Sequence, residues 1–373
     1  MRELPKPIFV VIDPAATEAD LIARYEEKSG KTLYPAQIER LFIDQIAYAT
    51  TGLQMSIQNA GEQLLVRHSN GPILDYLGEL VATPRLLAIA ARCTVRFTIA
   101  LPATQPMLIP VGTRVATQDA KLAFATDEDV LIPAGQAQVT VTATCSTVGE
   151  AGNGWAIGQI SVIANPPFAG LLATNITVSY DGAEDEGDDR YRERIILAPE
   201  AYSNAGSRGA YRYHAMAVHQ SIKDVAVHGP AEGQQPGHVA LFPLTTSGLP
   251  TADLLQRVLT LVSGEKVRPL CDTVHALPPV QVDYSISARI VFFNSADRFT
   301  TMARVQAAAE TYALELSVGL GVDIVPEQLI ARLQVAGVYR AFVEQPAVPR
   351  ELLGNEWAVC SSIQLIDGGT SNG

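Results

Sequence analysis

An α+β multidomain fold is what this sequence predicts: a helical N-terminal region, a central β-rich domain and a C-terminal mixed α/β region. Three observations carry that prediction. Apolar residues recur at spacings of three and four before residue 90, they alternate with polar ones between 91 and 180, and helical and alternating patterns take turns after 181. A chain of 373 residues has room for several domains with cores of their own, at roughly 100–200 residues per domain. The expected regions are 1–90, 91–180, 181–275 and 276–373.

In the first region Thr17 with Asp20 three residues on resembles a loose capping box, and the helical pattern runs to Lys28 before Gly30 stops it. Pro35 is expected as the first helical residue of a longer element. Along it Ile38, Leu41, Phe42, Ile46, Ala49, Leu53 and Ile57 share one face. A long helix with one narrow apolar stripe needs a cover, supplied either by neighbouring short helices or by another subunit. Ile38, Leu41, Phe42, Ile46, Leu53 and Ile57 are therefore the candidate partner-interface residues. A third helix starts at Gly71-Pro72 and carries Ile73, Leu74, Leu77 and Leu80.

The second region alternates. Cys93, Val95, Phe97 and Ile99 are spaced by Thr94, Arg96 and Thr98, and Val139, Val141, Ala143 and Cys145 by threonines, as half-buried strands require. Between them Ile109-Pro110-Val111-Gly112 is echoed by Ile132-Pro133-Ala134-Gly135, two expected turns at strand edges. Glu150 is the only charge between Asp129 and Asp181. The third region opens on an acidic run, residues 181–189, expected to be a solvated linker. A short helix from Arg190 closed by Pro199, a helical segment from Gly209 to His219, and strands near 225–227 and 239–241 follow. In the fourth, Leu254 to Val262 and Val305 to Leu316 have helical spacing, Val280 to Ile290 alternate over one long strand, and Pro326 opens a helix that ends at Gly337. Short strands are expected at 338–343 and 358–366, in a sheet expected to be antiparallel with helices on one face.

The net charge is −12, which gives no general attraction to phosphate backbones and argues against nucleic acid as a partner. Only 18% of residues are charged, against about 25% in ordinary soluble domains, as expected of a surface that faces other protein. The N-terminus, Met1-Arg2-Glu3-Leu4-Pro5-Lys6-Pro7, lacks a secretory pattern, and no stretch is long and apolar enough for a membrane span. The four scattered cysteines, Cys93, Cys145, Cys271 and Cys360, read as small core residues.

Fragments of catalytic motifs each fail on their context, so no catalytic, cofactor or metal residue is assigned and the chain is not expected to be an enzyme. Ser29-Gly30-Lys31-Thr32 ends like a phosphate loop but has Tyr25 where the first glycine belongs. The 152–158 glycines carry one residue too many for a dinucleotide fingerprint, and a turn with Trp155 as an aromatic plug is the reading. Around Ser207 an alanine, Ala205, replaces the first glycine of a nucleophile elbow, which leaves a helix cap or turn. An EF-hand fitted to the acidic run puts Gly182 at its first ligand. His214 and His219 are five apart, missing the helical metal pair.

The order of motifs from about 70 to 230 is similar to the baseplate J-like family. The matching pieces begin with Gly71-Pro72-Ile73-Leu74-Asp75-Tyr76-Leu77-Gly78 and Arg85. The two Ile-Pro-x-Gly turns flanking Phe124-Ala125-Thr126 come next, then Gly149-Glu150-Ala151-Gly152-Asn153 and Asn165-Pro166-Pro167. Asp181-Gly182 with residues 184–189, Tyr191-Arg192-Glu193-Arg194-Ile195, Gly206-Ser207, Tyr211 and Val225 complete the series; Asp181 stands where the family usually has a second glycine. The resemblance implies a structural wedge subunit of a contractile-tail baseplate, in a phage or a phage-like injection system. It would sit in the tail baseplate of the particle and be assembled in the bacterial host cytoplasm. Its implied partners are other wedge subunits, a small wedge protein, the central hub or spike and the sheath-proximal baseplate protein, with self-association, and without nucleic acid or membrane. The implied mechanism is rearrangement of interfaces during sheath contraction. Two alternatives remain: a tail-associated receptor-binding module, against which a 6% aromatic content counts, and a serine hydrolase using Ser207 with His214 or His238.

Overall fold

The computed structural model describes residues 4–202, 206–265 and 267–372. It has two compact units, one of Met1–Pro84 with Tyr191–Ile196, the other of Arg85–Arg190 with Leu197–Gly373. The predicted class holds: N-terminal helices, a near-barrel of strands, and a mixed C-terminal part.

In the first unit helix α1 (Pro14–Ser29) begins three residues before the expected Thr17. Asp13 is the cap, its carboxylate accepting from the Ala16 amide at 3.0 Å, with Pro14 pre-set for the first turn. Thr17 instead donates its hydroxyl to the Asp13 carbonyl. Gly30 ends the helix at φ 67°, as a left-handed C-terminal residue should. Helix α2 (Ile38–Gln63) starts after Gln37, not at Pro35, because Ala36 intervenes at φ 72° and breaks the helical path. Helix α3 (Gly71–Glu79) has Pro72 in its first turn and buries Leu74 against Tyr191 and Ile195, with Val66 and Val81 alongside. Gly78 is required there, since a Cβ would stand 1.9 Å from the Tyr191 hydroxyl.

The second unit begins with a barrel of β1 (Ala90–Thr98), β2 (Met107–Ile109), β3 (Arg114–Thr117), β4 (Ala123–Thr126), β5 (Val130–Ile132), β6 (Gln138–Val148), β7 (Ile160–Ile163) and β8 (Leu172–Asn175). The main sheet runs β7-β3-β4-β6-β1-β8. Asn175 bridges its two edge strands, accepting from the Ile160 amide and donating to Ala156. The two Ile-Pro-x-Gly echoes turn out to be mates: β2 and β5 pair antiparallel, Met107 opposite Ile132, with Ile109 and Ile132 both fully buried.

After the barrel come α4 (Asp188–Leu197), α5 (Arg208–Met216), β9 (Ile222–His228), β10 (His238–Thr245), α6 (Ala252–Val262) and β11 (Thr273–Ala276), with the sheet ordered β11-β10-β9. The C-terminal part holds β12 (Val280–Phe293), α7 (Arg298–Ser317), α8 (Pro326–Leu333), β13 (Val338–Gln345) and β14 (Glu356–Ser371), ordered β13-β12-β14. The antiparallel expectation for the C-terminal sheet holds for one of its two pairings: β13 runs antiparallel to β12, but β14 joins β12 in parallel. The preceding sheet is mixed as well, with β9 antiparallel to β10 and β11 joining β10 in parallel through α6. Each parallel strand returns through a helical crossover.

The acidic run is not a solvated linker. Its backbone pairs with residues 86–92, through bridges Ile89–Ala183 and Arg92–Tyr180. Its carboxylates accept backbone amides: Glu184 from Glu150, Asp185 from Ala88, and Glu186 from Leu86 at 3.0, 2.8 and 3.1 Å. Glu186 is buried and ion-paired to Arg190, which also donates to the Met216 carbonyl at the end of α5 and to those of His219 and Ile222 after it.

Candidate assembly surface

Helix α2 has two apolar faces with different fates. Ile43 and Ala47 are buried, on the side that also carries Gln58 and Gly61. Gln58 pins the extended arm before α1, its amide oxygen accepting from Phe9 and Val10 and its nitrogen donating to Pro7. The Phe9 ring lies over Gly61, where a Cβ would come within 2.5 Å. Arg40 pairs with Glu18 of α1 and with Asp44, fixing the start of the hairpin.

The other face is bare. Ile38, Leu41, Phe42, Ile46, Leu53 and Ile57 are 53–70% exposed. Within the helix Ile38, Phe42, Ile46, Ala49, Leu53, Ile57 and Ala60 follow one another at four, four and three residues, repeated. An 11-residue repeat of this kind has about 3.67 residues per turn, close to the straight helix and slightly right-handed in a supercoil. From residue 45 to residue 61 the helix has no charged side chain, so the stripe is flanked by Thr, Gln, Ser, Asn and Gly. Each large aliphatic or aromatic side chain here would gain about 1.5–3 kcal/mol if fully covered, before the cost of association. The neighbouring helices do not supply that cover.

The chemical alternatives resolve into ordinary structure. Ser207 caps α5, its hydroxyl accepting from the Ala210 amide at 3.2 Å and lying 3.5 Å from Glu200, after a 3-10 turn (Ala198–Tyr202) rather than a strand. Ala205 of the elbow-like motif lies outside the described residues. His214 packs edge-on to Tyr213, and His238 stacks on His275 with nitrogens 3.0 Å apart. Gly30 of the phosphate-loop fragment is a helix terminus. Trp155 does plug a turn, packing on the barrel core and donating to the Ala151 carbonyl. Cys93 and Cys145 are core residues, and burial pushes the Cys93 thiol up to about 12; Cys271 departs from the expectation by being exposed. Among the described residues no cluster of three or more metal-ligating side chains occurs and no helix is long and apolar enough to cross a membrane.

One polar cluster was not visible beforehand. Asp181, its side chain almost wholly buried, pairs with Arg257, with Arg92 at 3.7 Å and with His219 at 3.4 Å. His219 in turn meets the Ser221 hydroxyl at 2.7 Å. The order serine–histidine–aspartate looks catalytic, yet the same ring nitrogen accepts the Ser221 backbone amide at 3.0 Å. Its lone pair is therefore already engaged and a poor base for the hydroxyl. Sequence offered one signal for this cluster, the aspartate in place of a second glycine at 181.

A family model described as the baseplate J-like protein barrel domain matches residues 94–182, the baseplate J-like central domain matches 203–278, and the baseplate J-like protein C-terminal domain matches 284–366. Baseplate protein J of Escherichia phage P2 is 30% identical over 200 residues, 53% of this chain; the chain spans 65% of that protein's length. Among solved structures, a chain of the anti-feeding prophage baseplate, determined by cryo-EM with six-fold symmetrisation, aligns with 94% of this chain and 90% of its own at 13% identity and a TM-score of 0.47.

Proposed function

This chain belongs to the baseplate J-like family, and on that premise we propose that it is a structural subunit of a contractile-tail baseplate, acting through its interfaces rather than through covalent chemistry. The finer reading makes it a wedge subunit. It would join other wedge subunits, a small wedge protein, the central hub or spike and the sheath-proximal protein, after assembly in the bacterial cytoplasm, and pass on rearrangement when the sheath contracts. The observation that carries this reading is the bare stripe Ile38, Leu41, Phe42, Ile46, Leu53 and Ile57 on α2. A face of that size, uncharged on both flanks from residue 45 to residue 61, is suited to one or more further helices in a shared bundle. The 11-residue spacing makes that bundle straight or slightly right-handed.

The test is a tagged pull-down from the producing cell, with crosslinked partners identified by mass spectrometry. Sheath-end, hub and small wedge proteins crosslinked through residues 1–90 are the expected result. The variant Leu41→Asp with Leu53→Asp should lose these partners while its unfolding midpoint stays unchanged. A wild-type chain recovered without tail proteins would overturn the assignment, and capture undiminished in the double variant would remove α2 from it.

A further inference from the structure

Strand β9 is an outer strand, paired among the described residues with β10 alone. The register says which of its backbone groups look outward. Leu241 of β10 accepts from the Leu277 amide after β11, so its polar backbone faces β11. Val227, opposite Leu241, therefore points away from β10, and so does Val225, two residues back and opposite Pro243. Pro243 suits that register, because it has no N–H to give to β9. The Val225 amide is taken by the Asp224 carboxylate at 2.8 Å. The Val225 carbonyl and both polar groups of Val227 have no hydrogen-bond partner among the described residues. Residues 225–228 line a groove of about 380 Å³ with Arg208 and Arg212 of α5, Glu232 and Gly354. Its charges are unevenly satisfied. Asp224 already accepts from Val225, from Leu320 at 2.9 Å and from Arg212 at 2.9 Å. Glu232 accepts from the Gly229 amide at 2.9 Å and from Arg208 at 2.6 Å. Each arginine makes one such pair, out of the five N–H donors a guanidinium carries. Donors are in excess.

We propose that this groove takes an extended acidic segment of a partner protein, added as a further strand against β9. The Val227 amide and carbonyl bond its main chain, and its carboxylates meet Arg208 and Arg212. Backbone pairing of this kind supplies affinity, and the side-chain contacts supply the choice of sequence. The two arginines stand one turn apart on α5, about 6 Å along the axis, close to the roughly 6.8 Å between alternate side chains of a strand. Carboxylates two residues apart in the partner therefore match them, and guanidinium–carboxylate pairs are among the stronger hydrogen bonds. A free anion would satisfy the arginines and leave the edge of β9 unmet. An uncharged strand would satisfy the edge and leave the arginines. The inference rests on this sheet and stands whether or not the baseplate assignment does.

Titration of the full chain with the end-blocked peptide Thr-Glu-Val-Glu-Thr tests it. Binding with a Kd of about 1 mM or tighter is expected, with slowed hydrogen exchange at the Val227 amide. The same peptide with glutamine for both glutamates should bind about fivefold or more weakly. Val227→Pro removes the outward N–H without touching the β9–β10 ladder and should abolish binding. Arg208→Gln with Arg212→Gln should lower the acidic peptide to the level of its glutamine form, and this variant decides alone if the proline variant does not fold. Binding that the folded variants leave intact overturns the proposal, and so does no binding at about 10 mM peptide. A peptide held no better than inorganic phosphate also overturns it, by making the groove a simple anion site.

Discussion

Asp181 occupies backbone with φ 76°, a conformation that costs an L side chain roughly 1–2 kcal/mol and glycine almost nothing. The carboxylate offsets that strain through Arg257, Arg92 and His219. Two substitutions separate the contributions. Asp181→Ala keeps the strain and loses the charge, whereas Asp181→Gly loses both. Both should fall below the wild type by about 1–3 kcal/mol in urea unfolding, less than for a fully buried pair because the arginines retain contact with water. The glycine variant should be the more stable of the two by about 1 kcal/mol. A glycine variant as stable as the wild type would show that the ion pairs do no more than offset the strain, and an alanine variant as stable as the wild type would show that they contribute nothing. The sequence marked position 181 as unusual but could not disclose the reason. Its arginines come from residues 92 and 257, and a run of acids looks the same whether water or backbone amides surround it.

At the scale of the element, periodicity was a good guide wherever one face meets a core. The alternation in β1 and β6 gave their buried sets correctly, with Val95, Phe97, Val141 and Ala143 inside, because period two fixes the face. The stripe on α2 was equally legible, but its exposure was not, since a helix with two apolar faces does not say which one is covered. Helix starts were misjudged where a turn residue resembled a cap: Pro35 sits before the left-handed Ala36. Strand β11 went unseen because four residues carry too little alternation to register. The two faces of α2 can be told apart by one pair of variants. Ala47→Asp places a carboxylate on the buried face of α2 and should destabilise the N-terminal helices by about 1–3 kcal/mol, read as faster hydrogen exchange across α2. Leu53→Asp adds the same charge to the bare face and should leave exchange unchanged; equal effects would mean the stripe is covered after all.

At the scale of the whole molecule, the histidines set the response to pH. His214, His219 and His228 all have their pKa lowered, in each case chiefly by burial, which disfavours the imidazolium. For His219 the nearby Asp181 opposes the shift without reversing it, while Arg257 and Arg190 reinforce it. The unfolded chain takes up these protons near the ordinary value of about 6.5 and the folded chain only at lower pH. Between those two points the unfolded state binds more protons, so stability falls as pH falls. The carboxylates held low by hydrogen bonds and cations, among them Glu62, Glu232 and Asp297, act in the same direction but only nearer their own range, about pH 4 and below. The loss between pH 7 and pH 5 should therefore belong to the histidines. Thermal unfolding followed across that interval should show a falling midpoint, and His219→Gln should flatten part of the slope. A midpoint constant from pH 7 to pH 5, or a slope that His219→Gln leaves untouched, would mean that the buried imidazole is not what links this fold to protons.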